Sequence, residues 1–397
     1  MSLFSKYAGL AQALGQLTAN GGRNPFSVVI ERPISSTVGL IEGRETLLFG
    51  TNNYLGLSQY APSIEAAAET ARTLGVGTTG SRIANGTFGL HRQLEQQIAK
   101  FFRRRDAMVF STGYQANLGA ISALAGKDDY LLLDADSHAS IYDGARLGYA
   151  QVVRFRHNDP DDLHKRLRRL DGTPGEKLVV VEGIYSMMGD IAPMAEFAAV
   201  KRETGAWLLA DEAHSVGVIG EHGRGVAERD NVEADIDFVV GTFSKSLGTV
   251  GGYCVSDHEG LDLIRLCSRP YMFTASLPPE IIAATMAALV ELENRPELRT
   301  QLMANAERLH TGLQRAGLTT GPAVSPVVAV LLTDVPQAVA FWNRLLDLGV
   351  YVNLSLPPAT PNQNPLLRSS VMATHTFAQV DTAVEAFAQA ARDVGVL

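Results

Sequence analysis

Seven short runs rich in β-branched and other apolar residues recur between positions 107 and 255, at 107–110, 130–133, 152–155, 178–181, 207–210, 238–240 and 253–255. Longer amphipathic stretches, among them 114–125, 160–170 and 193–204, separate them. Runs apolar at nearly every position are buried on both faces, and their alternation with helical segments predicts a mostly parallel sheet with crossover helices. The expected class is α/β. Residues 1–44 read as an N-terminal arm: a helical stretch, a glycine-containing segment around Gly21-Gly22 and an extended stretch through Val28-Val29-Ile30. Residues 45–270 form the expected large domain. After Ser276-Leu277-Pro278-Pro279 come two long helical patterns, an apolar run at 327–332, another helix and a proline-rich loop from Leu356 to Pro361. The segment 271–397 therefore reads as a smaller α+β domain. No internal repeat or low-complexity tract is present.

At 397 residues with 46% hydrophobic residues, the chain can build the cores of two or three domains. It lacks any run of about eighteen uninterrupted apolar residues and does not open with a basic-then-apolar secretory signal, so a cytoplasmic protein without a transmembrane segment is expected. Two cysteines, Cys254 and Cys267, cannot make a disulfide framework and have no metal-ligand spacing; packing is the expected role of both, and no metal is expected. A formal net charge of −8 gives no support to nucleic-acid binding. The basic clusters at 103–105 and 164–169 lack interleaved aromatics and read as solvated helix faces or termini.

The chemistry concentrates at strand ends. Lys245 lies in Gly241-Thr242-Phe243-Ser244-Lys245-Ser246-Leu247-Gly248, hydroxyl-flanked and glycine-bounded, between two apolar runs. An ordinary lysine is solvated and protonated, and becomes a covalent catalyst only when a fold buries it beside a carbonyl. That segment is where a lysine would be held to form a Schiff base. Asp211 ends the run 207–210, at the carboxyl edge where open α/β sheets bind ligands. An aspartate there can keep a pyridinium nitrogen protonated, the recurring partner of a lysine-bound pyridoxal 5'-phosphate. Ser111-Thr112-Gly113-Tyr114 sits where a strand ends and a helix starts, a place that suits a phosphate, although serine, threonine and glycine are also ordinary capping residues. Thr242 and Ser244 add hydroxyls. His138 follows the run 130–133, so it projects from the same edge and could stack on a pyridine ring; the plainer alternative is a capping or core histidine. His214 and Ser186 follow two further strands and could each donate to a cofactor phenolate oxygen.

Asp211-Glu212-Ala213-His214-Ser215 with Gly217, Gly220, Gly223 and Gly225, followed by Thr242-Phe243-Ser244-Lys245, resembles the α-oxoamine synthases, PLP enzymes of the aspartate aminotransferase fold. The resemblance runs from Asn53-Tyr54-Leu55-Gly56-Leu57 to Leu366-Leu367-Arg368-Ser369-Ser370. Segments 111–119, 133–144, 154–158 and 269–279 most resemble the soluble bacterial serine palmitoyltransferase group. The resemblance implies fold type I, with a mostly parallel seven-stranded sheet in the large domain and a smaller α+β C-terminal domain. It implies that Lys245 holds PLP and takes the substrate Cα proton, that Asp211 keeps the ring an electron sink, and that His138 stacks on the ring and helps hold the substrate carboxylate. Gly113, Tyr114, Thr242 and Ser244 would bind the phosphate or its surroundings. Thr274 would reach the phosphate of a partner subunit, making a homodimer with active sites at the interface the expectation. Asn53 and Arg368 would face the amino-acid carboxylate, the arginine because its planar fork suits bidentate recognition; the plainer alternative for Arg368 is an ion pair at the surface or between domains.

The implied reaction is a decarboxylating condensation of L-serine with a long-chain acyl-CoA, such as palmitoyl-CoA, to 3-ketodihydrosphingosine, CoA and CO2. Within the family the rival is another pair, alanine with a pimeloyl thioester or glycine with acetyl-CoA. Outside it the rival is a noncatalytic PLP-fold partner subunit, which would need none of Lys245, Asp211, His214 and His138. Two positions depart from the pattern: Leu356 stands where some sphingolipid enzymes carry an arginine, and Asn52 where some carry an aromatic. Both bear on how the carboxylate or the acyl thioester is gripped.

Overall fold

All seven apolar runs become strands of one sheet in the computed structural model, which describes residues 2–18 and 22–397. Met1 and residues 19–21, which include Gly21 of the expected glycine-containing segment, lie outside the described residues. The strands are β1 (Asp106–Phe110), β2 (Tyr130–Asp134), β3 (Gln151–Phe155), β4 (Lys177–Glu182), β5 (Trp207–Asp211), β6 (Phe238–Thr242) and β7 (Gly252–Ser256). Their order across the sheet is β1-β7-β6-β5-β4-β2-β3. Every neighbouring pair is parallel except those made by β7, which runs antiparallel to both β1 and β6. The reason is length. A parallel crossover needs roughly a dozen residues or more, and the 243–251 connection between β6 and β7 is shorter, so the chain can only turn back on itself. That turn carries Lys245.

The central strands are buried along nearly their whole length; Leu208, Leu209 and Ala210 of β5 are each 0% exposed. A strand covered on both faces has no polar face to alternate with, which is why these runs read as continuous apolar segments. Helix Gly113–Leu124 starts after β1 and Ala139–Leu147 after β2, and the two pack together above the sheet.

The chain divides into two compact units: one comprises residues 52–186 and 190–301, the other residues 1–51, 187–189 and 302–397. This differs from a split into 1–44, 45–270 and 271–397, for two reasons. Helix Pro279–Asn294 packs on Ala61–Leu74 and belongs to the first unit. Strand Arg44–Leu48 pairs in parallel with Val350–Tyr351, which ties the amino-terminal segment to the carboxyl-terminal one. The second unit also contains a three-stranded antiparallel sheet of Val327–Leu331, Leu366–Ser370 and Asn353–Ser355. Residues 28–30 carry no assigned strand; the strand in that region is Arg32–Pro33. Cys254 is buried as expected, whereas Cys267 is exposed, because its short segment after Leu261–Ile264 leaves that side chain facing solvent. Among the described residues no helix is long and apolar enough to cross a membrane.

Candidate active site

Strands β1, β2, β4, β5 and β6 all end at one edge of the sheet, and the register keeps their ends level: Glu182 pairs with Asp211, Asp211 with Val240, and Gly252 with both Phe110 and Thr242. A cavity of about 270 Å³ opens at this edge. Lys245, His138, Asp211 and His214 line it, together with the phosphate-side candidates Gly113, Tyr114, Thr242 and Ser244.

Asp211 is 5% exposed, and each of its oxygens accepts a hydrogen bond. Its Oδ2 accepts from Asn117 Nδ2 at 2.7 Å and its Oδ1 from the Ala213 backbone N–H at 2.9 Å. Asn117 Nδ2 also donates to Ser140 Oγ at 2.9 Å, and Ser140 Oγ lies 2.7 Å from His138 Nδ1. The Ser140 backbone N–H donates to the same Nδ1 at 3.2 Å. Nδ1 is therefore an acceptor, which leaves the imidazole proton on Nε2. Burial pulls the His138 pKa down; Asp211 opposes this and Lys245 adds to it, so the ring is held neutral. By accepting from Ser140, His138 also caps helix Ala139–Leu147. The capping role and the place in the cavity belong to the same side chain.

His214 is 6% exposed, and its Nδ1 lies 2.6 Å from the hydroxyl of Tyr54, which is itself 0% exposed. That hydroxyl also lies 3.5 Å from Asn52 Oδ1. Glu182 accepts from the His138 backbone N–H. Burial, reinforced by the charge of Asp211, raises its pKa well above the carboxylate range. Tyr54, Asn117, Ser140 and Glu182 were not singled out from sequence as site residues. A strand-final acidic residue was a usable signal for Glu182; the other three had none beyond sitting inside matched motifs.

On the opposite side, Thr112 caps helix Gly113–Leu124 by accepting from Gln115 N at 3.1 Å, so the capping reading of that segment holds as geometry. Gly113 is there because backbone must pass close: a Cβ on it would meet Thr242 Cβ at 2.6 Å, and one on Gly252 would meet Gly113 Cα at 2.6 Å. The first backbone N–H groups of a helix have no intrahelical partner and carry the positive end of its dipole. Thr242 Oγ1 and Ser244 Oγ stand 2.9 Å apart beside them. Gly248, at φ 64, closes the lysine turn where a side chain would strike the Ser58 backbone N at 2.3 Å. A helix-end anion cradle, a lysine and a buried, donor-braced aspartate facing one cavity are what pyridoxal 5'-phosphate requires, and these residues fit it.

Ser186 follows β4 in the 183–192 loop and is half-buried. Asn53 turns its amide to Ser58, with Nδ2 donating to Ser58 Oγ at 2.8 Å and Oδ1 accepting from Ser58 N at 3.2 Å. Thr274 accepts from Gln115 Nε2 at 3.2 Å. Arg368 belongs to the other unit, on strand Leu366–Ser370, where it is 6% exposed and donates to Ser370 Oγ at 2.9 Å. That burial removes a surface ion pair as its explanation. Leu356 is half-buried, with its carbonyl accepting from Ala359 N at 3.1 Å.

Residues 44–387 match the family model of aminotransferase class I and II. The chain is 56% identical over 397 residues to the serine palmitoyltransferase of Caulobacter vibrioides (strain NA1000 / CB15N), covering 100% of this chain and 98% of that protein. It is 50% identical over 397 residues to the serine palmitoyltransferase of Sphingomonas paucimobilis, covering 100% of this chain and 94% of that protein. A solved high-resolution structure of SPT with PLP internal aldimine matches with a TM-score of 0.98 at 50% identity, covering 100% of both chains. With the lysine, aspartate and histidines gathered at one sheet edge, these matches place the chain in the aminotransferase class I and II family, on the branch of the serine palmitoyltransferases.

Proposed function

We propose that this chain is a PLP-dependent acyltransferase that condenses L-serine with a long-chain acyl-CoA, palmitoyl-CoA being the expected donor, and releases CoA, CO2 and 3-ketodihydrosphingosine, opening sphingolipid synthesis. The observation that carries the proposal is the convergence of Lys245, Asp211, His138 and His214 on one cavity in a chain that matches serine palmitoyltransferases over its full length. Bound PLP supplies an electron sink for the amino-acid Cα. Asp211, braced by Asn117 and the Ala213 N–H, would hold the ring nitrogen. Lys245 would carry the cofactor on Nζ and take the Cα proton. His138, neutral with its proton on Nε2, would stack on the ring and donate to the substrate carboxylate. His214 and Ser186 donate to the phenolate oxygen. Gly113 and Tyr114 offer backbone N–H groups, and Thr242 and Ser244 hydroxyls, to the phosphate. A homodimer in which Thr274 reaches the partner's phosphate, working in the cytoplasm, completes the proposal.

The test is to titrate the purified enzyme with a panel of amino acids while following cofactor absorbance, then to offer the best binder acyl donors of graded length and identify products by mass spectrometry. Serine with palmitoyl-CoA should give the highest specificity constant. Preference for alanine with pimeloyl-CoA or glycine with acetyl-CoA would move the chain elsewhere in its family.

Two substitutions probe substrate grip. Arg368→Ala should weaken amino-acid binding by about 1.5–3 kcal/mol, the usual worth of a hydrogen bond to a charged group, with PLP still bound. Unchanged serine affinity would return Arg368 to a purely structural role. Leu356 offers an alkyl surface where some relatives carry a charge, and burying a leucine is worth about 1.5–3 kcal/mol. Leu356→Arg should therefore lower the specificity constant for palmitoyl-CoA relative to acetyl-CoA; an unchanged donor ranking would mean that Leu356 only packs the proline loop.

A further inference from the structure

His157, just past the end of β3, is not used by the acyl transfer, yet it is one of the most constrained side chains near the site. Its Nδ1 is 2.8 Å from Asp134 Oδ1 and its Nε2 is 2.6 Å from Asp190 Oδ2. Carboxylates only accept, so both ring nitrogens are donors. Burial pulls the imidazole down, but the two carboxylates outweigh it and push its pKa up to about 10. The Tyr185 ring packs against it at 90°, with centroids 4.5 Å apart. Asn158 doubles the bridge. At φ 49, a left-handed conformation that asparagine tolerates, it donates its backbone N–H to Asp134 Oδ2 at 2.9 Å and its side-chain amide to Asp190 Oδ2 at 2.7 Å.

The two carboxylates belong to different loops. Asp134 ends β2, is 0% exposed, and opens the loop that delivers His138; its Oδ1 also accepts from Asp136 N at 2.8 Å. Asp190 lies in the loop after β4 that carries Ser186, and its carbonyl accepts from Tyr185 N at 3.0 Å. Without a cation between them, two buried carboxylates would face each other beside Asp136, whose own pKa burial already raises, with Asp134 and Asp190 adding to the shift.

We propose that His157 is a positioning residue: by bridging Asp134 and Asp190 it locks the His138 loop to the Ser186 loop, and so sets where the substrate carboxylate is held relative to the reacting Cα. The consequence for substrate rests on the serine acylation proposed above; the lock does not. The test is hydrogen–deuterium exchange on the PLP-loaded enzyme and its His157→Gln variant. Peptides spanning 135–140 and 184–191 should both exchange at least about tenfold faster in the variant, since a buried charge has lost its partner, while peptides from Trp207–Asp211 and Pro279–Asn294 stay as in wild type. The KM for L-serine should rise by about tenfold with it. In the double variant His157→Gln/Asp190→Asn one of the two facing carboxylates is neutralised, and exchange in both loops should fall at least about threefold from the single variant toward wild type. Acceleration in neither loop, in only one, or throughout the protein would overturn the proposal, as would a double variant as loose as the single one. If wild type turned over no serine while the exchange pattern held, the proposed substrate would fail and the lock would stand.

Discussion

Lys245→Ala should abolish turnover, lowering kcat by at least about 10³-fold, because it removes both the covalent attachment and the base for the Cα proton. The site contains one lysine on the only turn that projects into the cavity from between β6 and β7, as far as the described residues go. Phe243 N donates to Gly251 O at 3.0 Å and Gly248 N to Lys245 O at 3.0 Å, so the turn keeps its shape without the side chain. The variant should therefore fold, and its melting temperature should stay near that of the wild-type protein stripped of cofactor. Borohydride reduction of the wild-type protein followed by peptide mapping checks the assignment directly. A pyridoxyl group on any other lysine would remove Lys245 from its role.

Asp211→Asn is expected to lower kcat by about 10²–10³-fold, the usual loss when one preorganised electrostatic contact to the charge developing in the transition state is removed. The substitution keeps shape. Asn117 Nδ2 can still donate to the remaining carbonyl oxygen, although the Ala213 N–H or Asn117 must then face an amide NH₂ instead of the carboxylate oxygen it meets at 2.7–2.9 Å. The change should appear in kcat for serine and in the absorbance of the bound cofactor, with little change in acyl-CoA affinity. Near-wild-type kcat would mean that another group holds the ring nitrogen. Glu182, the nearest alternative by register, would then be the residue to replace next.

The seven strands and the residues that end them were legible because each signal is local. A run such as 207–210 is apolar throughout because it is covered on both faces, and the residue after it, Asp211, stands at the ligand-binding edge wherever such a strand is placed in a parallel sheet. The same logic located His138 after β2 and Lys245 after β6. The boundary of the two units was not legible at 271, since it depends on the pairing of Arg44–Leu48 with Val350–Tyr351 some three hundred residues along the chain.

By itself, then, the sequence determined the α/β class, the strands and the strand-end residues Asp211, His138 and Lys245, because helical and extended periodicity and turn chemistry act over a few neighbouring positions. Only the tertiary structure decided what braces them. Tyr54 meets His214 across 160 positions, Asn117 meets Asp211 across 94, and His157 joins Asp134 to Asp190 across 23 and 33. A buried polar group must find a partner or lose the hydrogen bonds water gave it, but which distant group answers depends on the order in which strands lie side by side. That order, with β7 turned back between β1 and β6, is set by packing and connection length over the whole sheet.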